Sequence, residues 1–232
     1  MTLNLGQRLR ETLNLFVGVA RSQAGDPNAW DAAIAAFEAR DQSTPPPAGA
    51  VVFTGSSSIT FWSTLERDMA PLTVINRGFG GSKIGEVAHY AGRIVAPYHP
   101  WAVVLFAGTN DIAPPRPATA QAVFEGYGRF IEQVRAALPE THIYYVGITP
   151  TLARWALWPT ARAANQLIQA HTATDPRLHY IDLTDQFLGS DGRPDRRLFR
   201  FDGLHPNARG YMRWTAVIKP ILEAAHSPAR PA

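Results

Sequence analysis

"VVFTGSSSITFW", residues 51–62, is the stretch on which the reading of this chain turns. β-branched and aromatic residues run into a glycine and then into three consecutive serines. A strand ending in a tight turn places one hydroxyl on the rim of a sheet, where it can attack an electrophile. The same letters also serve as an ordinary strand-ending turn with serine at a helix N-cap. The rest of the chain has to separate these two readings.

Apolar strand-like runs recur at 50–54, 72–76, 101–107, 143–148 and 178–182, and helical periodicity fills the gaps. Ile84, Val87, Ala88, Ala91 and Val95 share one helix face; Val123, Tyr127, Ile131, Val134 and Leu138 share another. A third helix starts near Pro159 with Leu167 and Ile168, and a last one carries Tyr211, Trp214 and Ile218. Continuous apolar strands alternating with helices predict an α/β fold with a five-stranded parallel sheet covered on both faces. Upstream, residues 13–20 are predicted helical. Asp26-Pro27 offers an N-cap and a first-turn proline for a helix bearing Trp30, Ile34 and Phe37. "STPPPAG" (43–49) stops that helix and forms a stiff connector. The expectation is one domain over 1–232, with 1–49 a helical extension and linker packed on it.

Bulk properties narrow the function classes. The 232 residues are 46% apolar or aromatic, and no run approaches the ~18 apolar residues of a membrane span. Cysteine is absent, which excludes disulfide scaffolds, thiolate catalysis and Cys-ligated zinc. The formal charge is +3, and Arg193, Arg196, Arg197 and Arg200 are interleaved with Asp191, Asp195 and Asp202 rather than forming a basic face, so nucleic acid is not an expected partner. Arg8, Arg10 and Glu11 precede the apolar 13–20 run, a poor signal peptide, which points to the cytoplasm.

In parallel α/β folds, ligands bind beyond the carboxyl ends of the strands. The loops there carry "GSSS" (55–58), "NRGFGGS" (76–82), "GTND" (108–111) and "DGLHP" (202–206). Asp202 stands three residues before His205 in a loop stiffened by Pro206. That spacing lets the carboxylate reach Nδ1 and leaves Nε2 free to accept a proton. A surface loop ending in a helix cap is the plainer reading of the same residues. The glycines of 78–81 do not make a phosphate cradle, because Walker A spacing is missing and Lys83 stands where a dinucleotide fingerprint needs glycine. The seven histidines show no HExxH pair, and "DLTD" (182–185) lacks a calcium-loop pattern, so no metal is expected.

These four blocks, in this order from about residue 50 onward, resemble the GDSL or SGNH hydrolases, a family of esterases and lipases. The resemblance implies a flavodoxin-like three-layer α/β/α sandwich. It implies Ser57 as nucleophile, with Asp202 and His205 completing a triad. It also implies an oxyanion hole from the Ser57 N–H, the Gly81 N–H and the Asn110 side chain, and no cofactor. Gly80 is the alternative donor and, with Arg154 and Trp155, a candidate substrate contact. Ser56 departs from the aspartate of the family's name motif, and Trp62, Trp158 and Phe79 are as readily core residues as pocket walls. The expected activity is hydrolysis of a small-molecule carboxylic ester with a short, acetyl-like acyl group. A carbohydrate O-deacetylase, a lysophospholipase or thioesterase, and a noncatalytic ligand-binding module are the alternatives; oligomeric state is not legible.

Overall fold

The computed structural model describes residues 5–226. Its sheet has five parallel strands, β1 (Val51–Gly55), β2 (Val74–Gly78), β3 (Ala102–Phe106), β4 (His142–Val146) and β5 (Leu178–Ile181), in the order β2-β1-β3-β4-β5. The helices are α1 (Leu5–Ala24), α2 (Asp31–Ser43), α3 (Ser57–Thr60), α4 (Leu65–Met69), α5 (Ile84–Ile94), α6 (Ala120–Ala137), α7 (Trp158–Thr172), α8 (Thr184–Phe187) and α9 (Ala208–His226).

Alternation along the strands builds two cores. Val52, Val103, Leu105 and Tyr145 pack with Val87 of α5, Phe130 of α6 and Ile168 of α7. Their neighbours Val51, Phe53, Val104, Phe106 and Tyr144 pack on the other face with Tyr211, Trp214 and Ile218 of α9. β1 and β3 are buried along their whole length, which is why they read as unbroken apolar runs. The result is the three-layer α/β/α arrangement expected.

Two boundaries differ from the sequence expectation. Asp26 does not cap α2, which begins at Asp31. Its carboxylate accepts the Asn28 N–H at 2.9 Å and the Arg21 Nε–H at 2.6 Å, closing a local turn between α1 and α2. β2 starts at Val74 rather than residue 72, because the Leu72 N–H bonds the Met69 carbonyl and completes the turn after α4.

The segment before β1 is tied to the sheet. Trp30, Ile34 and Phe37 belong to the same buried cluster as Val52 and Ile75. The Arg77 side chain, 7% exposed on β2, donates from Nε to the Tyr98 hydroxyl at 2.7 Å, and its Nη2 meets the Asp41 carboxylate at the end of α2. Asp41 also accepts from the Tyr98 hydroxyl. A buried guanidinium needs its counter-charge more than a surface one does. Asp41→Ala is therefore expected to destabilise the protein by about 2–4 kcal/mol in urea denaturation, because it strands Arg77 without an anion. A change within about 0.5 kcal/mol would show that this tie contributes little.

Candidate active site

The strand order reverses direction beside β1: β2 lies on one side and β3 on the other, so the loops leaving all three strands meet at one rim. Gly55 makes the turn off β1. Its φ is +131°, and a Cβ there would lie 2.0 Å from the Phe106 carbonyl oxygen, so only glycine fits. Ser56 follows in extended conformation, and α3 starts at Ser57. The three serines differ in burial: Ser56 is inaccessible and Ser58 is 6% exposed, whereas Ser57 is half-buried at the rim.

Ser57 Oγ lies 2.8 Å from His205 Nε2, and His205 Nδ1 lies 2.7 Å from Asp202 Oδ2. The other Asp202 oxygen accepts the N–H groups of Leu204 (2.8 Å) and His205 (3.0 Å). Burial works against the Asp202 charge, but the His205 ring and these two backbone donors outweigh it and hold the carboxyl at about 2. An anionic Asp202 at Nδ1 fixes the ring proton there and leaves Nε2 as the acceptor for the serine hydroxyl.

The loop that carries this pair is stiff. The Arg200 N–H donates to the His205 carbonyl at 2.8 Å, and Phe199 pairs with Pro206 in a short antiparallel bridge. Arg196 donates to the carbonyls of Arg200 and Phe201, and the Asn207 amide to those of Arg197 and Phe199. Phe61 presents an edge contact to the His205 ring at 4.9 Å, with the Arg200 guanidinium over its face. Of the arginine cluster in the sequence, Arg196 and Arg200 thus support this loop, whereas Arg197 pairs with Asp195.

Across the rim, Gly81 adopts φ +82°, and a Cβ there would lie 2.6 Å from the Val19 side chain of α1. Gly80 is buried in the turn, whereas Gly81 lines a cleft of about 140 Å³ together with Asn110 and Arg154. Among the described residues, neither the Ser57 N–H nor the Gly81 N–H donates to a protein acceptor. The Asn110 amide donates one N–H to the Ser82 carbonyl at 3.0 Å, and its Oδ1 accepts from Arg154 Nη2 at 3.0 Å. Arg154 Nη1 also donates to the Thr109 carbonyl (2.7 Å) and hydroxyl (2.9 Å). Its two Nη groups are thus engaged with the "GTND" loop, a role the sequence did not reveal. Burial lowers the Arg154 pKa, which makes these partners the more necessary.

The aromatic residues near the rim pack on one another or in the core. Trp155 stacks on Trp158 at 6.3 Å and does not line the cleft. Trp62 and Phe79 are core residues, 1% and 2% exposed. Among the described residues no group of three or more His, Asp or Glu could hold a metal. No described helix is long and apolar enough to cross a membrane.

The 2-1-3-4-5 parallel sheet, with its chemistry in the loops beyond the carboxyl ends, is the architecture of the SGNH-type hydrolases. The chain belongs to the GDSL-like lipase/acylhydrolase family, whose model matches residues 48–213, and it is an ester hydrolase. It is 28% identical over 190 residues to the platelet-activating factor acetylhydrolase IB subunit alpha1 of Homo sapiens, covering 76% of this chain and 74% of that protein. Among solved structures it is similar to a GDSL-like lipase from Bacteroides thetaiotaomicron (TM-score 0.67, 20% identity, 83% of this chain and 98% of that one). A carbohydrate esterase family 3 protein from Talaromyces cellulolyticus is a further neighbour (TM-score 0.61, 22% identity, 76% and 97%).

Asp111 closes the "GTND" loop from behind. Both its carboxylate oxygens accept the Ile84 N–H at the start of α5, at 3.1 and 3.2 Å, which joins the loops after β2 and β3. Burial pushes this carboxyl up to about 6, against the lowering effect of the backbone donors. Because the folded value lies above the unfolded one, the native state binds the extra proton. Asp111 therefore costs stability as pH rises from about 4 to 6, and this cost persists above. In Asp111→Asn, denaturation between pH 4 and 7 is expected to show a stability that gains on wild type as pH rises, by an amount on the order of 1–3 kcal/mol at neutrality. A wild-type-minus-variant difference independent of pH would contradict the shift.

Proposed function

We propose that this protein is a serine esterase that cleaves carboxylic esters with short acyl groups through Ser57, His205 and Asp202. The observation that carries the reading is the unbroken chain from Ser57 Oγ to His205 Nε2 to Asp202, with contacts of 2.8 and 2.7 Å. It has the order that general-base activation of a hydroxyl requires.

Ser57 Oγ forms a bond to the ester carbonyl carbon while His205 Nε2 takes the hydroxyl proton. Negative charge develops on the carbonyl oxygen. The Ser57 N–H at the open end of α3, the Gly81 N–H and the second N–H of the Asn110 amide supply neutral donors for it. Collapse expels the alcohol, which leaves with the proton held by His205. Water then adds to the acyl carbon, again losing its proton to His205, and the acid departs as Ser57 recovers its hydrogen. Asp202, anionic across the neutral range, stabilises the imidazolium at each stage.

Arg154 is a positioning residue in this scheme. A guanidinium can only donate, so its bond to Asn110 Oδ1 turns the amide nitrogen toward the rim. A cleft of about 140 Å³ beside these donors supports a small acyl group, and the human relative is itself named an acetylhydrolase. The carbohydrate esterase among the structural neighbours makes acetylated sugars the second substrate class to assay.

With p-nitrophenyl acetate, Ser57→Ala is expected to lower kcat by about five to six orders of magnitude and Asn110→Ala by about two to three. Arg154→Met should lower kcat roughly tenfold and add nothing in the Asn110→Ala background, since it acts through that amide. Wild-type rates in Ser57→Ala would end the proposal; full additivity of the other two would separate Arg154 from Asn110.

A further inference from the structure

The cleft that begins at Gly81 and Asn110 continues beneath α1, and its walls are unusually positive. Lys83, Arg116 and Arg154 line it, and among the described residues no carboxylate does. Three acids near it in the fold are engaged elsewhere: Asp26, beside the Gly25 that Arg116 approaches, pairs with Arg21, and the other two serve the start of α5. Asp111 accepts the Ile84 N–H, and Glu86 accepts the Lys83 N–H and Trp30 Nε1. Arg116 donates to the Gln23 carbonyl of α1, and among the described residues neither it nor Lys83 has a carboxylate within ion-pairing distance, although Lys83 senses Asp111 at longer range. Ser22 of α1, 4% exposed, also lines the cleft, and its hydroxyl has no hydrogen-bond partner among the described residues.

Three like charges around a narrow space repel one another, and the single buried carboxylate that Lys83 and Arg154 sense, Asp111, offsets them only in part, so the potential there stays positive. An entering anion relieves that repulsion. We infer that the cleft is an anion subsite of the esterase site, taking a carboxylate or phosphate carried by the ester and held by Lys83 and Arg116 beside the oxyanion donors. This inference rests on the esterase reading and narrows its substrate to anionic esters. Arg154 adds charge, but its Nη groups already serve Asn110 and Thr109, so Lys83 and Arg116, which have no ion-paired carboxylate among the described residues, are the cations open to an anion. The Ser22 hydroxyl, with a small rotation, supplies a neutral donor to the same group. α1 acquires a function as well, because it forms one wall of the subsite.

The charge can sit on either half of the ester, and matched substrates distinguish the two. p-Nitrophenyl hemisuccinate against p-nitrophenyl butyrate places it on the acyl group. p-Acetoxyphenyl phosphate against p-methoxyphenyl acetate places it on the alcohol. At low salt, kcat/KM is expected to favour one anionic member over its neutral match by about tenfold. The advantage should fall at least about fivefold in the Lys83→Gln, Arg116→Gln double variant and in about 0.5 M salt. The pair that shows it identifies which half carries the charge. Neutral esters hydrolysed as well as both anionic ones, or an advantage unchanged in the double variant, would overturn the subsite.

If no ester is turned over, the esterase reading fails instead. Titration of succinate and phenyl phosphate into the wild-type protein then decides the subsite alone: binding lost in the double variant supports it, and no binding by wild type refutes it.

Discussion

The hydrogen bond between Ser57 Oγ and His205 Nε2 spans 148 positions of sequence, and the placing of everything else at the rim answers to it. A contact of 2.8 Å between side chains on different loops tolerates little error, so both loops must be fixed by their own surroundings. On the serine side the fixing is steric: Gly55 turns against the Phe106 carbonyl in a space that admits no Cβ, and α3 begins two residues later. The Tyr211 hydroxyl of α9 donates to the Ser58 carbonyl at 2.8 Å and anchors that helix to the same turn. On the histidine side the fixing is polar, through Arg196, Arg200 and Asn207, whose side chains bond the backbone carbonyls of the 197–206 loop.

Sheet topology makes such a meeting possible at all. With β1 between β2 and β3, loops carrying a hydroxyl, a glycine turn and an amide share one edge, and the loop beyond β5 folds back to add the imidazole. The electrostatics divide across this edge. Asp202 concentrates negative charge behind the histidine, where the proposed mechanism places an imidazolium. Lys83, Arg116, Arg154 and the neutral N–H donors lie on the other side, where the proposed mechanism places the oxyanion. Ester hydrolysis separates charge in this same sense, so the field is arranged along the reaction rather than merely around it.

Much of this was legible in the sequence, for definite reasons. Strands buried on both faces leave unbroken runs such as "VVLF" (103–106), and "DGLHP" places acid and base within reach because the loop is short and contains proline. Which of three adjacent serines meets the histidine was not legible from local pattern, since it depends on burial against residues far along the chain. Ser56 and Ser58 turn inward and Ser57 does not. Arg154 stood out as a chemical side chain, but its acceptors lie 44 and 45 positions away, and only the fold brings them together. The apolar run at residues 13–20 announced a helix without saying that its C-terminal end would wall a cleft, because docking depends on shape that one-dimensional pattern does not carry. Asp26 was misread for the opposite reason: a carboxylate before proline serves a turn as readily as a helix cap, and here the Arg21 side chain and the Asn28 N–H claim it.

The central claim is that one hydroxyl, and a particular one, is activated at this rim. Reaction with a fluorophosphonate followed by mass-spectrometric mapping of the modified peptide tests it most directly, since the reagent captures only a serine deprotonated by a neighbouring base. A single adduct on Ser57, absent from Ser57→Ala and retained in Ser56→Ala, is the result expected. An adduct on Ser56 or Ser58, or no adduct on the folded wild-type protein, would contradict the account.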